Sequence, residues 1–252
     1  MEKPEEKGKD ERLPAATRPA EGVRKEAGSG APEHLLAGVE AMLFDFEGTL
    51  VDFQWKLSEA VSEALQALRD MGFAKDLIRS RKYSTLLAEA VQKAAQSGVR
   101  PDEVRERIGT LYDRYDEDAL KRWSLRPGAK AFLHALGKKG VRTGLVSNVG
   151  RKALVRALAT LGLEGLFEVV LSRNDVLNLK PAPDGINLAL ERLDVSREAS
   201  IFLGDSLDDV HGARNAGIRV MIITQGENLK EEILAARPDR VIQGYDELLH
   251  AG

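Results

Sequence analysis

From Val39 onward the chain repeats one unit, a short apolar run followed by a longer amphipathic stretch. VEAMLFDF (39–46), VRTGLVSN (141–148), FEVVL (167–171), SIFLGDS (200–206) and VMIIT (220–224) read as strands, with VIQG from Val241 as a short sixth. None keeps the strict two-residue alternation of a sheet with one face in water. Strands buried on both faces belong to parallel sheets, whose crossovers place helices above and below. The stretches between them supply those helices: GAKAFLHALGKKG, KALVRALATLGL, DGINLALERLDV, DDVHGARNAG and NLKEEILAA carry apolar residues three or four apart. The pattern predicts an α/β fold, a doubly wound parallel sheet between helical layers.

Two regions break the rhythm. Residues 55–124 contain no convincing strand, and SEAVSEALQALRDMG, YSTLLAEAVQKAAQSG and PDEVRERIGTLYDRYDEDALKRW read as three helices. The third starts after Pro101, with Asp102 and Glu103 in the first turn where the helix dipole favours acids. An insertion at this point serves as a lid that excludes water from a charged reaction, or as a structural appendage. Tyr83, Tyr112 and Tyr115 are assigned to helix packing or an interface in preference to ligand binding. The opening segment is rich in Glu, Lys, Gly, Pro and Ala and has almost no large apolar residues, so it is read as a disordered tail. The expected organisation is therefore tail 1–36, catalytic core 37–54 and 125–252, and helical cap 55–124.

Composition narrows the chemistry. The chain has no cysteine, which removes thiolate metal sites, disulfides and thiol nucleophiles together. Its four histidines, His34, His134, His211 and His250, lie in unrelated segments, so a hard cation on carboxylates is preferred to a histidine zinc site. A net charge of -3 and 5% aromatic residues offer neither a basic field nor stacking platforms for nucleic acid. There is no run of eighteen apolar residues and no charged leader followed by one, so a soluble cytoplasmic protein without a membrane span is expected.

Polar residues collect at the strand ends, where open parallel sheets build their sites. DFEGTLVD begins with Asp45 at the end of the first strand, and GDSLDD delivers Asp205 from the fourth, with Asp208 and Asp209 opening the next helix. Mg2+ takes few carboxylates together with water and phosphate oxygens, an arrangement that Asp45 and Asp205 can supply. Asp209 is a further ligand or holds a metal-bound water. Ser147 and Asn148 end the second strand just before a helix, where a hydroxyl and backbone amides face an anion. Lys180, in NLKPAPD, is placed to balance the carboxylates and clamp a phosphoryl oxygen.

With DFEGTLVD, VSN, LKPAPD and GDSLDD present in order, the chain from Val39 resembles the haloacid dehalogenase-like hydrolase superfamily, close to its phosphoglycolate phosphatase and beta-phosphoglucomutase branch. The resemblance implies a Rossmann-like doubly wound core with an inserted all-helical cap, and phosphoryl transfer through an aspartyl-phosphate. It makes Asp45 the nucleophile and Glu47 the acid and base. Mg2+ falls to Asp45, Asp205 and the backbone carbonyl of Glu47, with Asp209 in support, and the phosphoryl group to Ser147, Asn148 and Lys180. The substrate it implies is a small phosphorylated metabolite, phosphoglycolate first; the alternatives are a phosphosugar mutase and a non-catalytic binding or scaffold protein. A monomer or homodimer is expected. Most phosphatases of the superfamily carry aspartate where this chain has Glu47, and the extra methylene moves the carboxyl outward by about 1.5 Å. Phe53, Gln54, Trp55 and Lys56 fall at the junction of core and cap. Arg79, Arg81 and Lys82 are placed in the second cap helix as a basic cluster for an anionic substrate.

Overall fold

Each apolar run that reads as a strand is one in the computed structural model, which describes residues 36–249, although the ends differ by a residue or two. The strands are Ala41–Phe44 (β1), Arg142–Val146 (β2), Val169–Leu171 (β3), Ser200–Gly204 (β4), Arg219–Ile223 (β5) and Arg240–Ile242 (β6). All neighbours pair in parallel, in the order β3-β2-β1-β4-β5-β6. The expected tail 1–36 lies, up to residue 35, outside the described residues, as do His34 and His250.

Alternate residues of one strand serve two different cores, and this explains the unbroken apolar runs. Met42 and Phe44 of β1, Ile201 and Leu203 of β4 and Met221 and Ile223 of β5 face one cluster. Ala41, Leu43, Phe202, Val220 and Ile222 face the other. The first cluster is completed by the apolar sides of Ala129–Lys138 (α4) and Arg151–Leu161 (α5); the second by Asp184–Leu193 (α6), Leu207–Ala216 (α7) and Lys230–Ala236 (α8). A short helix, Asp246–Leu249 (α9), ends the described chain. The structure is the α/β Rossmann-like fold that the pattern predicts.

The strand order fixes where a site can form. From β1 the chain builds outward through β2 and β3 on one side and through β4, β5 and β6 on the other. The carboxyl ends of β1 and β4 therefore flank the point where the winding reverses, and crossovers leaving in opposite directions open a crevice there.

Between β1 and α4 lie Leu57–Asp70 (α1), Tyr83–Lys93 (α2) and Pro101–Leu120 (α3). Pro101 opens α3 with Asp102 and Glu103 in its first turn, as the sequence predicts. The two crossings of the chain into and out of these helices pair with each other: Val51 bridges Leu125 in antiparallel sense, and the Asp52 amide donates to the Ser124 carbonyl at 3.1 Å. The basic cluster is corrected. Arg79, Arg81 and Lys82 precede α2 rather than belonging to it, with Lys82 at the helix N-cap. The amides of Arg79 and Ser80 donate to the Glu89 carboxylate, and the Ser80 hydroxyl bonds around Lys82 and Thr85, so this segment satisfies its backbone by side chains in place of a helical ladder. Among the described residues, no helix is long and apolar enough to cross a membrane.

Candidate active site

Asp45 is the first residue past β1. Its amide still donates to the Leu203 carbonyl at 2.9 Å, after which the chain turns so tightly that the amides of Thr49, Leu50 and Val51 all point at the Phe46 carbonyl. Gly48 makes this turn with a φ of 79°, and a Cβ there would lie 2.3 Å from an Asp205 oxygen. Only glycine lets the two strand ends approach so closely. Asp205, one residue past β4, accepts from the Thr49 hydroxyl at 3.0 Å on Oδ1 and from the Glu227 amide at 2.7 Å on Oδ2.

Asp209 is placed by a helix cap. Ser206 caps α7 by accepting from the Asp209 amide, while Asp209 Oδ2 accepts from the Ser206 amide and hydroxyl and from the Asp205 amide. Its other oxygen lies 2.7 Å from Lys180 Nζ, which also reaches Asp45 Oδ1 at 2.5 Å. Lys180 is held from behind by Asn148: the Lys180 amide donates to Asn148 Oδ1, and Asn148 Nδ2 donates to the Lys180 carbonyl, both at 3.2 Å. Ser147 is buried beside them, its hydroxyl accepting from the Val149 amide at 3.2 Å. Of the seven residues expected at the site, Asp45, Glu47, Ser147, Asn148, Lys180 and Asp205 line one cavity, and Asp209 stands behind Lys180.

The charges do not balance. Asp45, Asp205 and Asp209 offer oxygens within 4.8 Å of one another against one ammonium. Burial, then the Asp209 and Asp45 charges, raises Asp205 well above the usual carboxylate range. Burial likewise raises Asp45, with Lys180 opposing. Burial pulls the Lys180 ammonium down, but Asp209 and Asp45 outweigh it and leave its pKa above the ordinary lysine value. Three carboxylates and one ammonium leave a deficit of two positive charges on an all-oxygen donor set, which fits a hard divalent cation.

Glu47 points to the crossing between core and inserted helices. Its Oε1 accepts from the Gln54 amide at 2.8 Å and from the Trp123 indole N–H at 2.9 Å. Withdrawal from water dominates and raises its pKa to about 8.

The rest of the cavity comes from residues whose role the sequence did not reveal. Glu227 follows β5, and burial with the nearby Asp208 charge raises its pKa to about 7. Tyr83, expected to pack, does lie tilted against Trp55 with ring centroids 4.8 Å apart, yet it also lines the cavity. Tyr112 and Tyr115 pack on the same indole. Asp208 ties α2 to the core by accepting from the Ser84 hydroxyl at 2.7 Å and from Lys82 at 3.2 Å. Asp116 of α3 makes a second tie, accepting from Trp55 Nε1, the Gly150 amide and Arg173. Asp116 left a trace in the sequence: it continues the buried stripe of Val104, Ile108 and Tyr112 at four-residue spacing. The remaining expected cations are elsewhere. Arg81 donates to the Ile78, Arg79 and Ser80 carbonyls, and Lys56 pairs with Asp118. Neither they nor Arg79 and Lys82 line the cavity.

Comparison with known proteins gives the site its relatives. The model of the haloacid dehalogenase-like hydrolase family matches residues 42–223. The phosphoglycolate phosphatase of Shigella dysenteriae serotype 1 is 32% identical over 232 residues, covering 84% of this chain and 92% of its own. Among solved structures, a haloacid dehalogenase-like hydrolase assignment from Bacteroides fragilis superposes with a TM-score of 0.61 at 25% identity, over 83% of this chain and 99% of that one. A beta-phosphoglucomutase assignment from Thermotoga maritima superposes with a TM-score of 0.55 at 22% identity, over 84% and 98% of the two chains, a likeness of fold alone. The chain is thus an enzyme of the haloacid dehalogenase-like hydrolase family, allied to its phosphatases.

Proposed function

We propose that this enzyme is a Mg2+-dependent phosphomonoester hydrolase working through an aspartyl-phosphate on Asp45, with a small phosphorylated metabolite as substrate and phosphoglycolate as the first candidate. The observation that carries this reading is the contact of Lys180 Nζ with Asp45 Oδ1 at 2.5 Å, beside Asp205 and Asp209 at the reversal point of the sheet. The choice of phosphoglycolate comes from the 32% identical relative of that name. A phosphosugar mutase is less favoured, since the mutase likeness is one of fold at 22% identity. A scaffold role is not favoured by a site that keeps all of its charged groups.

Asp45, Asp205 and the backbone carbonyl of Glu47 would hold the metal, with Asp209 in support. Once bound, Mg2+ withdraws charge from the phosphoryl oxygens. Lys180 clamps one of those oxygens, and Ser147 and the amides of the turn after Asp45 bind the others. The Asp45 carboxylate forms a bond to phosphorus as the bond to the ester oxygen breaks, and Glu47 gives its proton to the departing alkoxide. Glu47, now a carboxylate, takes a proton from water as that water attacks phosphorus, and phosphate leaves with Asp45 restored. The helices of residues 55–124 act as a cap that keeps bulk water out of the first step.

Phosphate release from a panel of small phosphoesters that includes phosphoglycolate tests the proposal. Turnover is expected with Mg2+, abolished by a chelator and restored by added metal; folded protein with no metal-dependent release from any ester would refute it. The pKa of about 8 for Glu47 sets a second expectation. As an acid it must be protonated, so bond cleavage in an alkyl ester falls as pH rises through about 8. In Glu47→Gln the break at that pH disappears, as a pH profile of first-turnover alcohol release will show.

A further inference from the structure

We infer that Trp123 is a positioning residue for the Glu47 carboxyl and that the chain carries glutamate at position 47 to meet it. The inference rests on the acid role proposed for Glu47. Trp123 is buried, with its ring edge-on to Phe46 at 5.1 Å and an interplanar angle of 88°. That leaves the indole N–H a fixed direction, and it ends 2.9 Å from Glu47 Oε1. Gln54, on the other crossing between core and cap, donates its amide to the same oxygen at 2.8 Å. The two crossings are joined to each other through Val51 and Leu125 and through Asp52 and Ser124. Glu47 is therefore docked on both strands of the hinge at once.

Two consequences follow from the chemistry of a carboxylic acid. Its carbonyl oxygen accepts, and its hydroxyl oxygen carries the proton. Two N–H donors on Oε1 make that atom the carbonyl oxygen and put the transferable proton on Oε2. The length of the side chain matters as well. Aspartate is shorter by about 1.5 Å, which stretches contacts of 2.8 and 2.9 Å beyond hydrogen-bond range. The backbone does not follow to compensate, since Gly48 is wedged against Asp205 and residue 47 bridges Val51. Trp123 and Glu47 form a matched pair, 76 residues apart in the chain.

Trp123→Phe keeps the ring on Phe46 and removes only the donor. The probes are phosphoglycolate, whose alkoxide needs a proton to leave, and p-nitrophenyl phosphate, whose phenolate does not. Leaving-group release is followed in the first turnover, so that hydrolysis of the aspartyl-phosphate does not mask it. Release from phosphoglycolate is expected to fall about 10- to 100-fold, from misplacement of the acid by a fraction of an ångström, with KM changed less than about threefold and p-nitrophenol release lowered by no more than about twofold. In a Glu47→Gln background the same substitution should add nothing. An equal fall for both probes, an unchanged rate for both, or an undiminished effect beside Glu47→Gln would overturn the positioning role. A melting curve guards against a folding defect. Wild-type protein inert toward both probes but active on another alkyl ester of the panel moves the comparison to that ester, and inertness toward the whole panel would instead refute the phosphatase proposal itself.

Discussion

Asp45→Asn is expected to abolish turnover, with kcat reduced by about 10^4-fold or more, as when other covalent nucleophiles are removed. An amide cannot form the aspartyl-phosphate, and the groups that remain to bind phosphate, Lys180, Ser147 and the amides of the turn after residue 45, do not replace the missing bond. The substitution should leave the fold intact. Burial and the neighbouring Asp209 raise the Asp45 pKa, so its ionised form is costly in the folded state. Lys180 keeps Asp209 as a partner at 2.7 Å when Asp45 becomes neutral. Melting temperature measured in chelator should then stay level or rise while activity disappears, and robust phosphatase activity in the variant would disprove the assignment of the nucleophile.

The second large effect is on stability. Arg173→Met should lower it by about 3–5 kcal/mol, the cost of breaking a buried ion pair from one side. Arg173 and Asp116 are almost wholly enclosed, at 5% and 2% side-chain exposure, with 2.7 Å between them. Burial raises the Asp116 pKa and Arg173 opposes it, so the acid left behind takes up a proton more readily still. A folded-state pKa raised in this way makes the ionised acid the destabilising form. The loss relative to wild type is therefore largest above the pKa of the orphaned Asp116 and shrinks as pH falls through it. At about 2–4 °C per kcal/mol for a chain of this size, the melting temperature should drop by roughly 10 °C at neutral pH. Adding Asp116→Asn should recover part of it, and strictly additive losses in the double variant would show that the pair is not coupled.

These groups differ in how far the sequence announces them. Met42 and Leu43 are both apolar because opposite faces of one strand meet two cores, so the sheet is visible as uninterrupted runs. Asp45, Ser147, Lys180 and Asp205 each follow directly from a strand end or a constrained loop, which makes their convergence legible. Trp123 reads as an ordinary aromatic at the end of a helix; its relation to Glu47 exists only once residues 76 apart are brought together. Glu227 sits in a loop after β5 with no pattern around it, and its place at the site comes from the hydrogen bond that its backbone amide donates to Asp205. The segment before α2 departs from the helix that its sequence suggests because the competing bonds come from Glu89 and Ser80 through side chains.

The cavity between the strand ends and the inserted helices has a volume of about 30 Å3. That is enclosed space for a water or two. On the proposed phosphatase reading, admitting an ester calls for the inserted helices to part from the strand ends, and the bonds of Asp208 to Ser84 and Lys82 lie across that separation. Motions of this class run on microsecond to millisecond timescales. A gate of this kind would show itself as a steady-state rate that falls with solvent viscosity, and loosening the Asp208 contacts should weaken that dependence.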